Sequence, residues 1–194
     1  MYPTPAERVV AEIEIKKSRF IAWLEPVKTP ADVSEAVQRA HQQYPNANHH
    51  CYAYLLGPSA AAQAAMFDDG EPSGTAGKPI LNVIQHKGVS DIAIIVIRYF
   101  GGVKLGAGGL VRAYAASAEA VLSRVNVTEQ VPMCDVTVRA DFAGEQPLRH
   151  WLACHKGIVM AVDYGQQVLI HVSIPVVCRN ELDEWTQGQG MTCL

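Results

Sequence analysis

The sequence predicts an α+β protein of two domains, and three observations carry that expectation. Short apolar runs of strand character are interleaved with segments of helical periodicity, a glycine-rich loop separates the longest β-branched run from an alanine-rich helix, and the strand–helix pattern restarts near residue 130. A chain of 194 residues has room for two cores. With 49% hydrophobic and 18% charged residues it has the make-up of a folded chain.

The first domain is expected over residues 1–130. Val9, Ala11, Ile13 and Ile15 alternate with Val10, Glu12, Glu14 and Lys16, the period of a strand with one face more polar than the other. Lys16-Lys17-Ser18 reads as a turn into a second strand at 20–24, making a hairpin. Thr29-Pro30-Ala31-Asp32 is a helix start, with a capping hydroxyl and proline in the first helical position. Val33, Ala36, Val37 and Ala40 follow at helical spacing until Pro45 stops them. A third strand at 50–56 closes on Gly57-Pro58. After a polar, turn-rich stretch at 67–79 come a helix at 80–86 and a strand at 92–99. That strand's continuous β-branched run predicts burial on both faces. A helix at about 110–125 ends the domain, and 127–132 reads as a linker.

The second domain, 131–194, is expected to run strand 134–140, helix 145–155, strands 157–164 and 168–174, helix 176–185 and strand 191–194. This β-α-β-β-α-β order is the ferredoxin-like, split βαβ arrangement.

Net charge is −3, so there is no global footprint for nucleic acid. The residues up to Glu129 balance to zero and the rest carry the whole −3. Any anion-binding surface is therefore a local patch in the first half. No apolar run is long enough to span a bilayer, and the start lacks the pattern of a secretion signal. Cys51, Cys134, Cys154, Cys178 and Cys193 are odd in number and form no Cys-x-x-Cys. A cytoplasmic protein with reduced, structural cysteines and no membrane partner is the expectation.

Two segments can carry chemistry. In the first, Arg98-Tyr99-Phe100 runs into a loop with Gly101, Gly102, Lys104, Gly106, Gly108 and Gly109, then into a helix with Arg112. Glycines allow close backbone approach, and a helix start offers free N–H groups to an anion. Neither the Walker spacing nor Gly-x-Gly-x-x-Gly fits, since Ala107-Gly108 follows Gly106 and Val111 holds the last glycine's place. The alternative is tight helix-on-sheet packing. The second segment gathers Asp68, Asp69, Glu71, Ser73, Thr75 and Lys78. Its acids could share Mg²⁺ with water oriented by the hydroxyls. Equally, Asp69-Gly70 is a turn dipeptide and Ser73 or Thr75 a helix cap. His49-His50-Cys51 on a strand converges at most two metal ligands, and a Cys51 nucleophile has no assignable base. The histidines at 150, 155 and 171 read as surface or satisfied core groups.

Four blocks together resemble the YigZ/IMPACT family. They are Ile15-Lys16-Lys17-Ser18-Arg19-Phe20, His49-His50-Cys51-Tyr52-Ala53, the stretch from Asp68-Asp69-Gly70-Glu71 to Gly77-Lys78-Pro79, and the stretch from Arg98-Tyr99-Phe100-Gly101-Gly102 to Leu110-Val111-Arg112-Ala113-Tyr114. The resemblance spans the first domain; the second matches by length and element order. It implies that the first domain is like the second domain of a small-subunit ribosomal protein, a β-rich sheet with two or three helices of left-over-right βαβ type. The second domain would resemble a module of elongation factor G. Eukaryotic members are linked to control of translation initiation and carry an additional N-terminal interaction domain, which is not expected here. For bacterial members a nucleic-acid or ribosome-related role is implied.

The expected function is that of a translation-associated protein binding RNA or ribosomal components, and a possible regulator of translation. Phosphates would be held by Lys78, Arg98, Lys104 and Arg112, with Lys17 and Arg19 in support and Tyr99 or Phe100 stacking a base. No cofactor is predicted beyond the Mg²⁺ option. The alternatives are a phosphate- or nucleotide-handling enzyme, with the glycine loop on phosphate and the acidic loop on Mg²⁺, and a protein–protein adaptor.

Overall fold

A computed structural model describes residues 1–58 and 62–194 and divides the chain into two compact units, Met1–Gln130 and Val131–Leu194. Both are built from sheets and helices, so the protein is α+β. Strands are β1 (Tyr2–Pro5), β2 (Val9–Ile15), β3 (Ser18–Pro26), β4 (His49–Leu56), β5 (Gln63–Phe67), β6 (Ile92–Tyr99), β7 (Val127–Gln130), β8 (Met133–Ala140), β9 (Ile158–Tyr164), β10 (Val168–Pro175) and β11 (Thr192–Cys193). Helices are α1 (Pro30–Gln43), α2 (Gly77–Lys87), α3 (Ala107–Leu122), α4 (Glu145–Cys154) and α5 (Arg179–Gly188).

In the first unit an antiparallel sheet runs β2-β3-β6-β4-β5. Because β3 and β4 both run antiparallel to the β6 between them, α1 is a crossover joining two parallel strands. Side-chain alternation then sorts the core. Phe20, Ala22 and Leu24 of β3 and Ile92, Ile94 and Val96 of β6 pack with α2 and α3. Ile21, Trp23, Ile95 and Ile97 point the other way, onto Ala36 and Ala40 of α1. The β-branched run of β6 is thus covered on both faces, as predicted. Helix α1 starts as the sequence indicates: Thr29 Oγ1 accepts from Asp32 N while Asp32 Oδ2 accepts from Thr29 N, a reciprocal capping box.

One expectation is corrected and one unexpected strand is added. Residues 127–130 are not linker but β7, paired antiparallel with β1 in register Tyr2↔Gln130 to Pro5↔Val127. Strand β5, unmarked by any sequence pattern, adds to β4 at the sheet edge. A four-residue strand with a distant partner has too short a period to be seen locally.

The second unit orders its strands β11-β8-β10-β9, all antiparallel. Its core joins Val136, Val138 and Ala140 of β8 and Ile170, Val172 and Ile174 of β10 to Leu148, Trp151 and Leu152 of α4 and Leu182 of α5. The expected helix at 176–185 divides into a 3-10 turn, Val176–Cys178, and α5.

Candidate functional site

The two glycine-bearing segments meet in the first unit. They line one pocket of ≈ 330 Å³ whose walls are Glu71 and Pro72 from the polar loop, Arg98 and Phe100 from the end of β6, and Lys104 to Ala107 with Leu110 at the start of α3.

Its floor is a buried polar network. The Glu71 carboxylate accepts from Arg98 Nη1 at 2.5 Å and from the Tyr114 hydroxyl at 2.8 Å. Arg98 Nη2 lies 3.4 Å from Ser18 Oγ, which accepts from Gly101 N at 3.2 Å. The Cys51 thiol donates to the Asp68 carbonyl at 2.9 Å and lies 3.3 Å from the Tyr114 hydroxyl. Glu71, Arg98 and Tyr114 are all buried. Pairing makes this tolerable, since an isolated charge at such depth would be strongly disfavoured. Each of the four blocks behind the resemblance contributes: Ser18 from the first, Cys51 from the second, Asp68 and Glu71 from the third, Arg98, Gly101 and Tyr114 from the fourth.

Burial pushes the Cys51 thiol up to about 12 and raises the Tyr114 phenol well beyond its ordinary value. Burial, together with the neighbouring Glu71 carboxylate, disfavours the thiolate and the phenolate.

The carboxylates of the acidic loop are engaged within the fold. Asp68 accepts from Gly74 N at 2.7 Å with one oxygen, and from Ala76 N at 3.0 Å and Gly77 N at 2.8 Å with the other. Although partial burial opposes it, these three donors hold its carboxyl below the usual range. Asp68 therefore caps α2 from nine residues away, where Ser73 or Thr75 was expected. The Thr75 hydroxyl instead donates to the Pro72 carbonyl, and Ser73 is exposed. Asp69 Oδ2 accepts from His50 N at 2.6 Å. The three carboxylates of the Mg²⁺ option thus serve backbone N–H groups and a buried arginine, and no group of metal-ligating side chains forms among the described residues. His49 and Cys51 both face this loop, His49 Nδ1 lying 2.8 Å from the Asp69 carbonyl and His49 Nε2 3.9 Å from the Glu71 carboxylate.

The expected cations separate in the same way. Arg98 is a buried partner of Glu71, not a surface charge. Arg19 is exposed but paired with Glu12 at 2.6 Å. Lys17, Lys78, Lys104 and Arg112 are exposed. Lys104 lines the pocket, and Arg112 Nη1 reaches back over Gly108, 3.6 Å from where a Cβ would stand.

Two glycines are required where they stand. A Cβ on Gly101 would meet the Lys17 carbonyl at 1.9 Å, so the loop packs directly on the Lys16-Lys17 turn. Gly106, the residue before α3, holds φ +71° with nothing near a Cβ, a conformation glycine takes freely. No side chain caps α3, and Gly106, Ala107 and Gly108 are exposed. The first-turn N–H groups of α3 therefore face outward beside Lys104 and Arg112. Phe100, 47% exposed, flanks them, and its N–H is held by Asn48 Oδ1 at 2.8 Å. Tyr114, Ser18 and Cys51, central to the network, were not among the predicted site residues; the signal was a lone arginine ending an apolar strand, which needs a buried acid.

Among known proteins, the Impact N-terminal domain family matches residues 16–122. The chain is similar to the IMPACT family member YvyE of Bacillus subtilis, 38% identical over 95% of this chain and 84% of that protein. To the IMPACT family member YigZ of Escherichia coli it is 36% identical, over 88% and 84%. A crystal structure of a hypothetical protein superposes with TM-score 0.80 at 33% identity, covering 100% of this chain and 96% of that one. The matched residues contain every member of the buried network, and the chain belongs to the IMPACT family.

Proposed function

We propose that this is a cytoplasmic, translation-associated RNA-binding protein, and that the mouth of the Glu71–Leu110 pocket holds the RNA backbone. The observation that carries this reading is the juxtaposition at the start of α3. The exposed Lys104 and the half-exposed ring of Phe100 line one pocket with the uncapped, glycine-rich start of α3, and the exposed Arg112 lies over Gly108 in the first turn of that helix. A phosphate is attracted by the first-turn N–H groups and the positive end of the helix, while lysine and arginine add charge. A base stacks on Phe100 whatever its identity, because every base has a π-face. Glu71 does not oppose the phosphate, since Arg98 neutralises it from below.

Binding of a labelled oligo-uridine at low and moderate salt tests the reading. Lys104→Glu with Arg112→Glu should abolish measurable binding while circular dichroism stays unchanged. Phe100→Ala should weaken binding by about 5- to 100-fold, the range for loss of one stacked base. Wild-type protein that ignores the oligonucleotide at low salt would sink the proposal.

A further inference from the structure

The second unit has an exposed edge that the RNA reading leaves without a role. Among the described residues, strand β9 pairs only with β10, so its outer row of backbone N–H and C=O groups has no strand partner there. Sheet edges of this kind are usually protected by charges. The β2 edge of the first sheet follows that rule, carrying Glu12 and Glu14 along its length. β9 reads Ile-Val-Met-Ala-Val-Asp-Tyr, with one charge, and exposes Ile158 (54%), Met160 (62%) and Tyr164 (64%). Beside its end, Phe142 is 66% exposed and its ring lies parallel to that of Tyr164, centroids 6.5 Å apart.

The unit that carries this edge is acidic overall, although the exposed Lys156 precedes the strand. Residues 131–194 hold seven acidic and four basic side chains. Asp163 sits on the strand, and Asp141 and Glu145 flank Phe142 in sequence. Glu145, which also pairs with Arg149, accepts from the Tyr164 hydroxyl at 3.1 Å. Ring faces next to carboxylates attract guanidinium and ammonium groups and disfavour phosphates.

We propose that β9, with Phe142 and Tyr164, is a docking site for an extended, arginine- or lysine-rich segment of a partner protein, which adds a strand to the sheet. Main-chain hydrogen bonds supply affinity, and the aromatic pair with its neighbouring acids selects a cationic side chain. The acidic surround favours a basic protein segment over RNA.

A fluorescein-labelled octapeptide of alternating Arg and Val, titrated into the full-length protein, tests this, with a Glu/Val octapeptide as control. The Arg/Val peptide should bind, more weakly as salt rises, and Phe142→Ala with Tyr164→Ala should loosen it about tenfold. Met160→Lys, a second variant at a solvent-facing position, should loosen it as well. Oligo-uridine binding should be unchanged in both variants. Equal binding of the Glu/Val peptide, no binding of Arg/Val, or full binding by both variants would overturn the proposal. So would a dimer of the free protein that Met160→Lys dissolves, which would assign the edge to a second copy, or an oligo-uridine affinity lost with the aromatic pair.

Discussion

The two units differ in how many polar groups they bury. The first takes polar groups inside: Ser18, Glu71, Arg98 and Thr75 are buried beneath its pocket, and Glu25 and His50 lie buried elsewhere in its sheet. The second keeps an almost wholly apolar interior, with Ser173 and Thr186 as its buried polar residues, and leaves Phe142, Ile158, Met160, Tyr164 and Val177 outside. A buried ion pair contributes little net stability yet is costly to break, so it holds loops in one arrangement. Exposed apolar side chains hold nothing in place, and only where they gather into a contiguous patch do they mark an interaction surface. The first unit therefore fixes its pocket walls through buried polar pairs, whereas the second relies on an apolar core alone.

Breaking the pair should give the largest effect. Glu71→Ala leaves Arg98 buried without its carboxylate and should cost about 3–5 kcal/mol. Hydrogen exchange should show lost protection at 92–99 far exceeding that at 168–174. Combining Glu71→Leu with Arg98→Met should recover most of the stability, because no uncompensated charge remains; failure to recover would mean that the network contributes more than its ion pair. Leu148→Ala, in the apolar core of the second unit, should cost about 2–5 kcal/mol by cavity formation, with the opposite exchange pattern. Gly101→Ala forces the loop off the Lys17 carbonyl and should cost about 1–3 kcal/mol in urea unfolding.

A pH series sharpens the same contrast. The folded-state pKa of the Cys51 thiol is raised by burial to about 12, above its ordinary 9.0. The folded protein then keeps a proton that the unfolded chain releases, so this contribution is full below pH 9 and is lost as pH rises towards 12. Its steepest slope should be about 1.4 kcal/mol per pH unit. Tyr2, raised from 10.0 to about 12 by burial and its bond to Asp91, adds to the upper part of the window. Cys51→Ala should flatten the alkaline fall, which urea midpoints between pH 8 and 11 would reveal. The smallest effect is local. Thr29→Ala removes one half of the capping box and should cost about 1 kcal/mol.

The amino-acid sequence by itself determined whatever depends on neighbours within a few residues. The hairpin of β2 and β3, the Thr29–Asp32 cap, the doubly covered strand β6 and the β-α-β-β-α-β order of the second half are legible because period and capping are local signals. The same holds for the two segments of the candidate site, whose glycines and charges stand out in the chain. Tertiary structure decided which partner each polar side chain meets. The pairing of Tyr2 with Gln130, the reach of Asp68 to the start of α2, and the burial of Arg98 against Glu71 join residues whose separation carries no pattern. Arg98 and Lys104 are both cations in one motif. One is buried in the floor and the other stands on the rim because β6 ends between them and the chain turns outward at Gly101 and Gly102. Desolvation then ties the first to its buried acid, while the second stays in contact with solvent.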